Sequence, residues 1–329
     1  MKRRILVTGG AGYIGSHVVA ALLERGDAVV VLDHLGQGHR QAVPHGVPLI
    51  AADLADAEAI DAALADGPWH AVLHFAGLTN VGDSVRAPLV YLVENSANSF
   101  RLIEACIRHG VGRFVLSSTA NLFGGSAPVP IGEGAPIDPS SPYGESKRMI
   151  ERALALADSA HGLKSACLRY FNAAGADPDG RLGEDHRPET HLIPLAIDAA
   201  LGRRPELTIF GADYPTPDGT CIRDYIHVSD LAEAHLRALD RLNGGSVVYN
   251  LGNGAGHSVR EVIDAVEAAA GRPVPVGIGA RRPGDPPVLV ASSDRIRRET
   301  GWTPRFPDLS DIVRTAYVWR AAHPGGYDE

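Results

Sequence analysis

Tyr143 and Lys147 stand four residues apart in Ser-Pro-Tyr-Gly-Glu-Ser-Lys, and Thr119 lies upstream in Leu-Ser-Ser-Thr-Ala-Asn. On a helix, positions i and i+4 share a face, so this spacing sets an ammonium beside a phenol. A phenol loses its proton near pH ~10, and a neighbouring cation favours the phenolate. A downward shift of ~3 units corresponds to roughly 4 kcal/mol of differential interaction. Such a tyrosine could take a proton from a sugar or alcohol hydroxyl near neutral pH. Tyr-x-x-x-Lys alone occurs by chance in many chains. Lys147 could equally be a solvated helix lysine, and Thr119 a strand-end cap. The weight of the pair depends on the start of the chain.

There, Arg-Ile-Leu-Val-Thr at 4–8 reads as a buried strand, followed by Gly9-Gly10-Ala11-Gly12-Tyr13-Ile14-Gly15. Residues 16–25 read as a helix ended by Gly26, and a second apolar run, 28–32, stops at Asp33. Strand, glycine turn, helix, strand and acid in this order form a dinucleotide fingerprint. Gly9 permits the tight turn, Gly12 lets backbone N–H groups approach a pyrophosphate, and Gly15 lets the helix pack on the sheet. The helix N-terminus favours phosphate charge. Asp33 is placed to accept hydrogen bonds from a ribose diol and would repel a 2′-phosphate, so NAD is expected rather than NADP. Arg40 could soften that preference.

The elements that must position these groups follow an alternating pattern. Strand-like runs recur at 48–52, 71–75, 113–117 and 165–168, with helix-like stretches at 55–65, 88–109 and 142–160. This alternation predicts right-handed βαβ units and a parallel sheet covered on both faces. The fold class is therefore α/β, a Rossmann-like doubly wound parallel sheet with a smaller C-terminal substrate domain. Residues 1–172 are expected to form the NAD-binding part, with return segments near 223–252, because 247–251 reads as a strand that could rejoin the first sheet. Residues 173–329, with loops rich in Gly, Pro and Asp, are expected to form a smaller domain that closes over a substrate.

The 329 residues are 45% hydrophobic and 21% charged, the balance of a globular protein. A net charge of −8 argues against a general nucleic-acid binder. The start is not a secretory signal and no run approaches ~18 apolar residues, so no membrane partner and a cytoplasmic location are expected. Cys106, Cys167 and Cys221 are widely spaced and are expected to be reduced and buried. The fourteen histidines are scattered, and no metal site is expected.

Beyond these readings, the chain resembles the extended short-chain dehydrogenase/reductases and, within them, the UDP-glucose (UDP-galactose) 4-epimerases. The resemblance runs through Val7–His17, His74-Phe75-Ala76-Gly77-Leu78, Ser141–Lys147, Leu168-Arg169-Tyr170-Phe171-Asn172, Gly211–Thr216, Arg223–Val228, Tyr249-Asn250-Leu251-Gly252, Arg281-Arg282-Pro283-Gly284-Asp285 and the closing His323–Tyr327. It implies that Tyr143 removes the proton from a sugar 4-hydroxyl while hydride leaves C4 for tightly held NAD. The resulting 4-keto sugar turns over and receives the hydride on its other face. Lys147 would hold the nicotinamide ribose and depress the tyrosine pKa, and Thr119 would hydrogen-bond the reacting hydroxyl. Further cofactor contacts are implied for Tyr13, Ile14, His34, Asp53, Leu54, Phe75, Ala76, Gly77, Asn95, Ser117 and Tyr170. On the substrate side the likeness implies Arg223 and Arg282 for the UDP diphosphate, Asp285 for the uridine ribose, Phe210 near the uracil, and Phe171, Asn172, His191, Leu192, Tyr225 and Leu289 around the sugar and diphosphate. A homodimer through helices near 88–109 and 142–160 is also implied.

Several positions depart from the family pattern. Asn121-Leu122-Phe123-Gly124 stands where Val-Tyr-Gly or Thr-Tyr-Gly is usual, so a ring loses its hydroxyl and an amide is added. Thr79-Asn80 replaces a cofactor-binding lysine, and Asn95-Ser96-Ala97-Asn98-Ser99 lacks the usual glycine. Leu289 occupies a position where a pocket-closing tyrosine is common in members restricted to glucose and galactose. A smaller wall there implies tolerance of N-acetylated sugars, with plain core packing as the alternative. A UDP-uronate or UDP-pentose 4-epimerase, a nucleotide-sugar dehydratase and a non-catalytic NAD-binding protein remain as other readings. The dehydratase lacks a carboxylate after Thr119, where Ala120 and Asn121 stand.

Overall fold

Alternation within each apolar run explains the central sheet. In β1 (Arg4–Thr8), Ile5 and Val7 face one apolar layer and Leu6 the other; in β2 (Ala28–Asp33), Val29 and Val31 oppose Val30 and Leu32. A strand buried on both faces needs apolar residues at every position, hence unbroken runs rather than alternation of apolar with polar. The computed structural model describes residues 2–125, 127–282 and 284–327, so Pro283 of the arginine-rich motif lies outside it. The remaining strands of this sheet are β3 (Leu49–Ala51), β4 (Ala71–His74), β5 (Arg113–Thr119), β6 (Lys164–Tyr170) and, after three strands elsewhere, β10 (Val247–Leu251). Their order is β3-β2-β1-β4-β5-β6-β10, every pair parallel. The predicted return of 247–251 to this sheet is therefore observed beside β6.

Eleven α-helices are described: α1 (Tyr13–Glu24), α2 (Ala57–Ala65), α3 (Val81–Arg86), α4 (Pro88–Tyr91), α5 (Asn98–Arg108), α6 (Pro142–His161), α7 (Leu192–Ala200), α8 (Val228–Arg241), α9 (Val259–Ala270), α10 (Asp294–Thr300) and α11 (Leu309–Ala322). Helices α1 and α8 cover one face of the sheet; α2, α5 and α6 cover the other. The strand order reverses between β1 and β4, whose carboxyl ends, Thr8 and His74, border the crevice where such sheets bind ligands.

A second sheet holds β9 (Ile222–His227) between β11 (Gly256–Ser258) and β13 (Val288–Leu289), with β7 (Asn172–Ala174) also paired to β9. A two-stranded sheet joins β8 (Leu207–Phe210) to β12 (Val276–Gly279). Helices α7, α9 and α11 share a third apolar core with β8 and Tyr225. Among the described residues no helix is long and apolar enough to cross a membrane. The three cysteines are free and buried.

Two boundaries differ from the sequence reading for physical reasons. β5 and β6 run two residues further, through Ser118-Thr119 and Arg169-Tyr170, because Ser118, Thr119 and Arg169 are buried with partners of their own and the half-buried Tyr170 bonds Ser117. The stretch 88–109 is a continuous helix interrupted by a π-helical segment, Leu92–Ala97, which hydrophobic spacing does not reveal.

The glycine turn shows why side chains are excluded. Gly9 has φ +71°, and a Cβ there would stand 2.4 Å from the Ala76 backbone nitrogen. A Cβ on Gly15 would meet the Gly9 carbonyl oxygen at 2.1 Å. Both atoms in that clash are held by rigid backbone, so Gly15→Ala is expected to cost on the order of 1–3 kcal/mol through overpacking. Urea unfolding should show a lower midpoint at unchanged slope. An unaltered midpoint would mean that the turn and α1 do not need their close approach.

Candidate active site

Three backbone turns build the floor of the crevice. The Ala11 N–H donates to Asp33 Oδ2 at 3.0 Å, and the Leu35 N–H to Oδ1 at 2.8 Å, which holds the carboxylate at the end of β2. Each carboxylate oxygen keeps a further lone pair, so Asp33 can still accept from a ribose diol. Tyr13 donates its hydroxyl proton to the Gly175 carbonyl at 2.7 Å, and Ile14 packs on the adjoining core. His34 is exposed and its Nδ1 accepts from the Gly36 N–H. Asp53 is exposed and accepts from the Ala55 N–H at 2.8 Å, while Leu54 is buried in the core beneath. Phe75, Ala76 and Gly77 follow β4; the Phe75 ring lies 4.9 Å from the buried His235 ring. Folding thus brings the glycine turn, Asp33 and the loop after β4 to one sheet edge, a cradle whose chemistry fits a dinucleotide.

Above this cradle stand the phenol and the ammonium. Ser141 caps α6 by accepting from the Gly144 N–H, and Pro142 occupies the first turn. Gly144 is required by a close approach, since a Cβ would meet the Asn121 carbonyl oxygen at 2.3 Å. This contact seats Tyr143 against the loop after β5. Lys147, buried, donates from Nζ to the Ser117 carbonyl at 3.0 Å. That is its one described hydrogen bond, so two of its three protons can serve a ligand. Ser117 Oγ in turn hydrogen-bonds the Tyr170 hydroxyl.

The chain's own groups do not by themselves make Tyr143 acidic. Burial pushes the Tyr143 phenol up to about 12, and a hydrogen bond with Thr119 opposes the rise. Burial also lowers Lys147 to about 8. Desolvation disfavours both charges, so the protein groups by themselves keep the phenol neutral at pH 7.

Thr119 is more committed than its type suggested. Its Oγ1 accepts from the Asn121 backbone N–H and from Asn121 Nδ2, each at 3.1 Å. With both lone pairs engaged, the hydroxyl proton is left to donate towards Tyr143. Asn121 therefore positions Thr119. Phe123, the ring without a hydroxyl, lies 5.5 Å from the Arg169 guanidinium. Arg169 pairs with Glu151 at 2.6 Å, and Glu151 also accepts from Ser118 Oγ at 2.6 Å. Sequence reasoning passed over this buried ion pair, although a charged residue within the strand pattern of 165–168 and its continuation was a usable signal. It likewise gave no role to His74, which bridges Thr8 Oγ1 at 2.7 Å and Ser99 Oγ at 2.8 Å. Asn95 is bound within the protein, its Oδ1 accepting from the Leu78 N–H and its Nδ2 donating to the Leu78 carbonyl and Ser146 Oγ. Asn80, of the Thr79-Asn80 pair that follows Leu78, caps α3 by accepting from the Asp83 N–H.

Across the crevice, Phe171 and Asn172 are half-buried, and Asn172 Nδ2 donates to the Asp224 carbonyl at 2.9 Å. Arg223 forms an ion pair with Asp285, and its Nη1 donates to the Ile222 carbonyl at 2.7 Å. The Arg282 guanidinium lies 4.3 Å from the centroid of the exposed Phe210 ring. Leu289 stands in register with Arg223 and is half-buried, outside the described apolar clusters, which argues against the core-packing reading. Tyr225, by contrast, is part of the third core. Leu192 opens α7 and packs on that core.

His191 has partners that its position did not suggest. Its Nδ1 lies 2.9 Å from Glu184 Oε1 and 2.9 Å from Glu189 Oε1. His186 Nδ1 lies 3.2 Å from the same Glu184 oxygen. Burial opposes charge on His186, yet the two carboxylates lift its pKa to about 9. Histidines scattered along the sequence are thus gathered with two acids in the fold.

Comparison with known proteins gives three kinds of likeness. A profile described as the NAD dependent epimerase/dehydratase family matches residues 5–252. A UDP-glucose 4-epimerase of Azospirillum brasilense is 52% identical, over 98% of this chain and 96% of the relative. A crystal structure of UDP-glucose 4-epimerase from Brucella ovis in complex with NAD superposes with a TM-score of 0.93 at 43% identity, covering 96% of this chain and 98% of that one. The Bifidobacterium longum enzyme in complex with NAD+ and UDP gives 0.94 at 36% identity, covering 98% and 100%.

Asn121→Ala removes one of the two donors to Thr119 and leaves the backbone bond. The expected result is a fall of about tenfold in kcat for sugar turnover at unchanged KM, the loss of one neutral hydrogen bond's worth of stabilisation. Unchanged kcat would show that Thr119 does not need this amide.

Proposed function

The chain belongs to the NAD dependent epimerase/dehydratase family, and from that premise we propose that it is an isomerase interconverting UDP-glucose and UDP-galactose at C4, with NAD bound and not consumed. The observation that carries this reading is the assembly of Tyr143, Lys147 and Thr119 beside the glycine turn, with no free carboxylate following Thr119. Glu151, the acid beneath that strand, is committed to Arg169 and Ser118 and cannot serve as the extra acid a dehydratase needs.

Held by the glycine turn, Asp33 and Lys147, NAD would supply a reversible hydride acceptor for C4 and, in its oxidised form, a positive charge beside Tyr143. The protein's part is proton handling and orientation. As the phenolate, favoured by the positive charge that oxidised NAD would bring beside it, the Tyr143 oxygen takes the 4-hydroxyl proton and later gives it back. Thr119 donates to that oxygen while it carries the negative charge. Lys147, fixed by the Ser117 carbonyl, turns its spare N–H groups to the nicotinamide ribose. Glycines 9, 12 and 15 admit the pyrophosphate, and Asp33 accepts from the adenine ribose. Tyr13, Ile14, His34, Asp53, Leu54, Phe75, Ala76, Gly77, Asn95, Ser117 and Tyr170 complete the cofactor's surroundings. Arg223 and Arg282 are assigned to the diphosphate and Asp285 to the uridine ribose. Phe210 is assigned to the uracil, and Phe171, Asn172 and Leu192 to the walls, with Tyr225 backing them from the third core.

A homodimer fits the exposed apolar side chains Val85, Leu89, Val90, Val93 and Phe100 on α3 to α5, together with Met149 and Leu156 on α6. A cytoplasmic location suits an enzyme of sugar nucleotides with three free cysteines.

Purified protein given UDP-galactose without added NAD is expected to yield UDP-glucose. Tyr143→Phe should lower kcat by at least about 100-fold while the far-UV spectrum is retained. A 6-deoxy-4-keto product would instead identify a dehydratase, and no product in the unaltered protein a non-catalytic binder. With Leu289 as a small wall, UDP-N-acetylglucosamine should also turn over, and Leu289→Tyr should suppress that activity more than turnover of UDP-glucose. Good conversion of UDP-glucose with none of the N-acetylated sugar would reject this specificity.

A further inference from the structure

The segment between β7 and α7 carries Glu184-x-His186-x-x-Glu189-x-His191, four side chains the reaction above does not use as acids or bases. One ligand-type atom from each lies within 4.8 Å of all the others. We propose that Glu184, His186, Glu189 and His191 form a closed, structural site for a zinc-type divalent transition-metal ion that clips this segment to the start of α7.

The spacing of the donors is the first argument. Zinc binds imidazole nitrogen and carboxylate oxygen at about 2.0–2.2 Å, so the edges of its tetrahedron are roughly 3.3–3.6 Å. The measured edges are 2.9 Å for His191 Nδ1 to each glutamate, 3.2 Å for His186 Nδ1 to Glu184, and 3.7 Å for His186 Nδ1 to Glu189 Oε2. An ion at the centre needs the wider pairs, up to 4.8 Å apart, to draw in and the 2.9 Å pairs to part.

The second argument is independent of spacing. Glu189 has a side chain only 7% exposed, yet its Oε2 makes no hydrogen bond, and neither does the buried His186 Nδ1. A buried polar atom without a hydrogen bond is costly, and these two reach only ion-pair contacts inside the set, His186 Nδ1 to Glu184 Oε1 at 3.2 Å and to Glu189 Oε2 at 3.7 Å. A divalent ion would satisfy them and balance the two carboxylates. Two imidazoles favour zinc and its late first-row neighbours over magnesium or calcium, which prefer all-oxygen sites. Four protein donors fill a tetrahedron, as in structural rather than catalytic sites.

The clip has solid supports. Arg320 donates to the Glu184 carbonyl at 3.2 Å, and the Tyr13 ring stands edge-on to His186 at 6.2 Å. The ion would thus brace a residue of the glycine turn through packing.

The alternative is an ion-pair quartet, two imidazolium groups matched by two carboxylates. Untagged, chelator-stripped full-length protein, equilibrated with Zn2+ or Co2+ and freed of excess, separates the two. The expected result is about one metal ion per chain, with visible Co2+ absorption of four-coordinate intensity. His191→Asn and Glu189→Gln should each weaken binding by at least the roughly 10–100-fold that outer-shell changes already cost. Less than a tenth of an equivalent in the unaltered protein, or equal binding by His186→Asn/His191→Asn, would overturn the site. Should a variant fail to fold, the stoichiometry and cobalt spectrum of the unaltered chain still decide. Neither readout depends on sugar turnover.

Discussion

One hydrogen bond joins the parts of this protein that must act together: Lys147 Nζ to the Ser117 carbonyl. It ties α6, which carries Tyr143, to the end of β5, which carries Thr119. An ammonium in this position is buried, and burial lowers its pKa to about 8. Placing a cation there works against stability unless something offsets the lost hydration. The single carbonyl does so in part. The spare N–H groups remain for a ligand, so the site is incomplete in the chain's own contacts. Local rules broken in this way are expected at functional positions.

Around that bond the structure rigidifies its neighbours. Asn121 holds Thr119, Gly144 lets α6 touch the loop after β5, and the Ser118–Glu151–Arg169 set supports the strand ends from below. Phe123 lies near the Arg169 guanidinium, an apolar ring where a hydroxyl is usual. The serines and asparagines of 95–99, which lack the family's glycine, bond α5 and its π-helical turn to α6 and to His74. Ser96, Ser99 and Asn121 thus serve internal hydrogen bonds around the phenol and ammonium.

The site joins two sheets. In the function proposed above, the cofactor side would be made from the carboxyl ends of β1, β2 and β4, where strand order reverses, and the substrate side from β7, β9, β13 and the loop containing Arg282. The chain crosses between them several times: β7 follows β6 after a single residue, and α8 and β10 return to the first sheet from β9. A bound sugar nucleotide would touch both sides, and positioning it needs the relative placement of elements far apart in the chain.

Much of this was legible in order. The glycine turn, Asp33 and the Tyr-x-x-x-Lys spacing are local patterns, and backbone geometry converts local spacing directly into shared faces and tight turns. The parallel sheet followed from unbroken apolar runs, because strands covered on both sides admit no polar face. Polar residues at strand ends fell outside the expected strands, since their burial depends on distant partners, as that of Ser118 does on Glu151. The sign of the tyrosine's pKa shift was likewise set by packing: proximity of a cation can be read from spacing, but dehydration cannot. Nor could the gathering of Glu184, His186, Glu189 and His191 be foreseen, although they lie within eight positions, because a loop without periodicity has no face until the fold bends it. The sequence by itself determined which groups could react and the sheet that carries them. Only the tertiary structure decided which charges lose their water and which donors remain free, because desolvation and hydrogen-bond saturation are properties of the assembled interior.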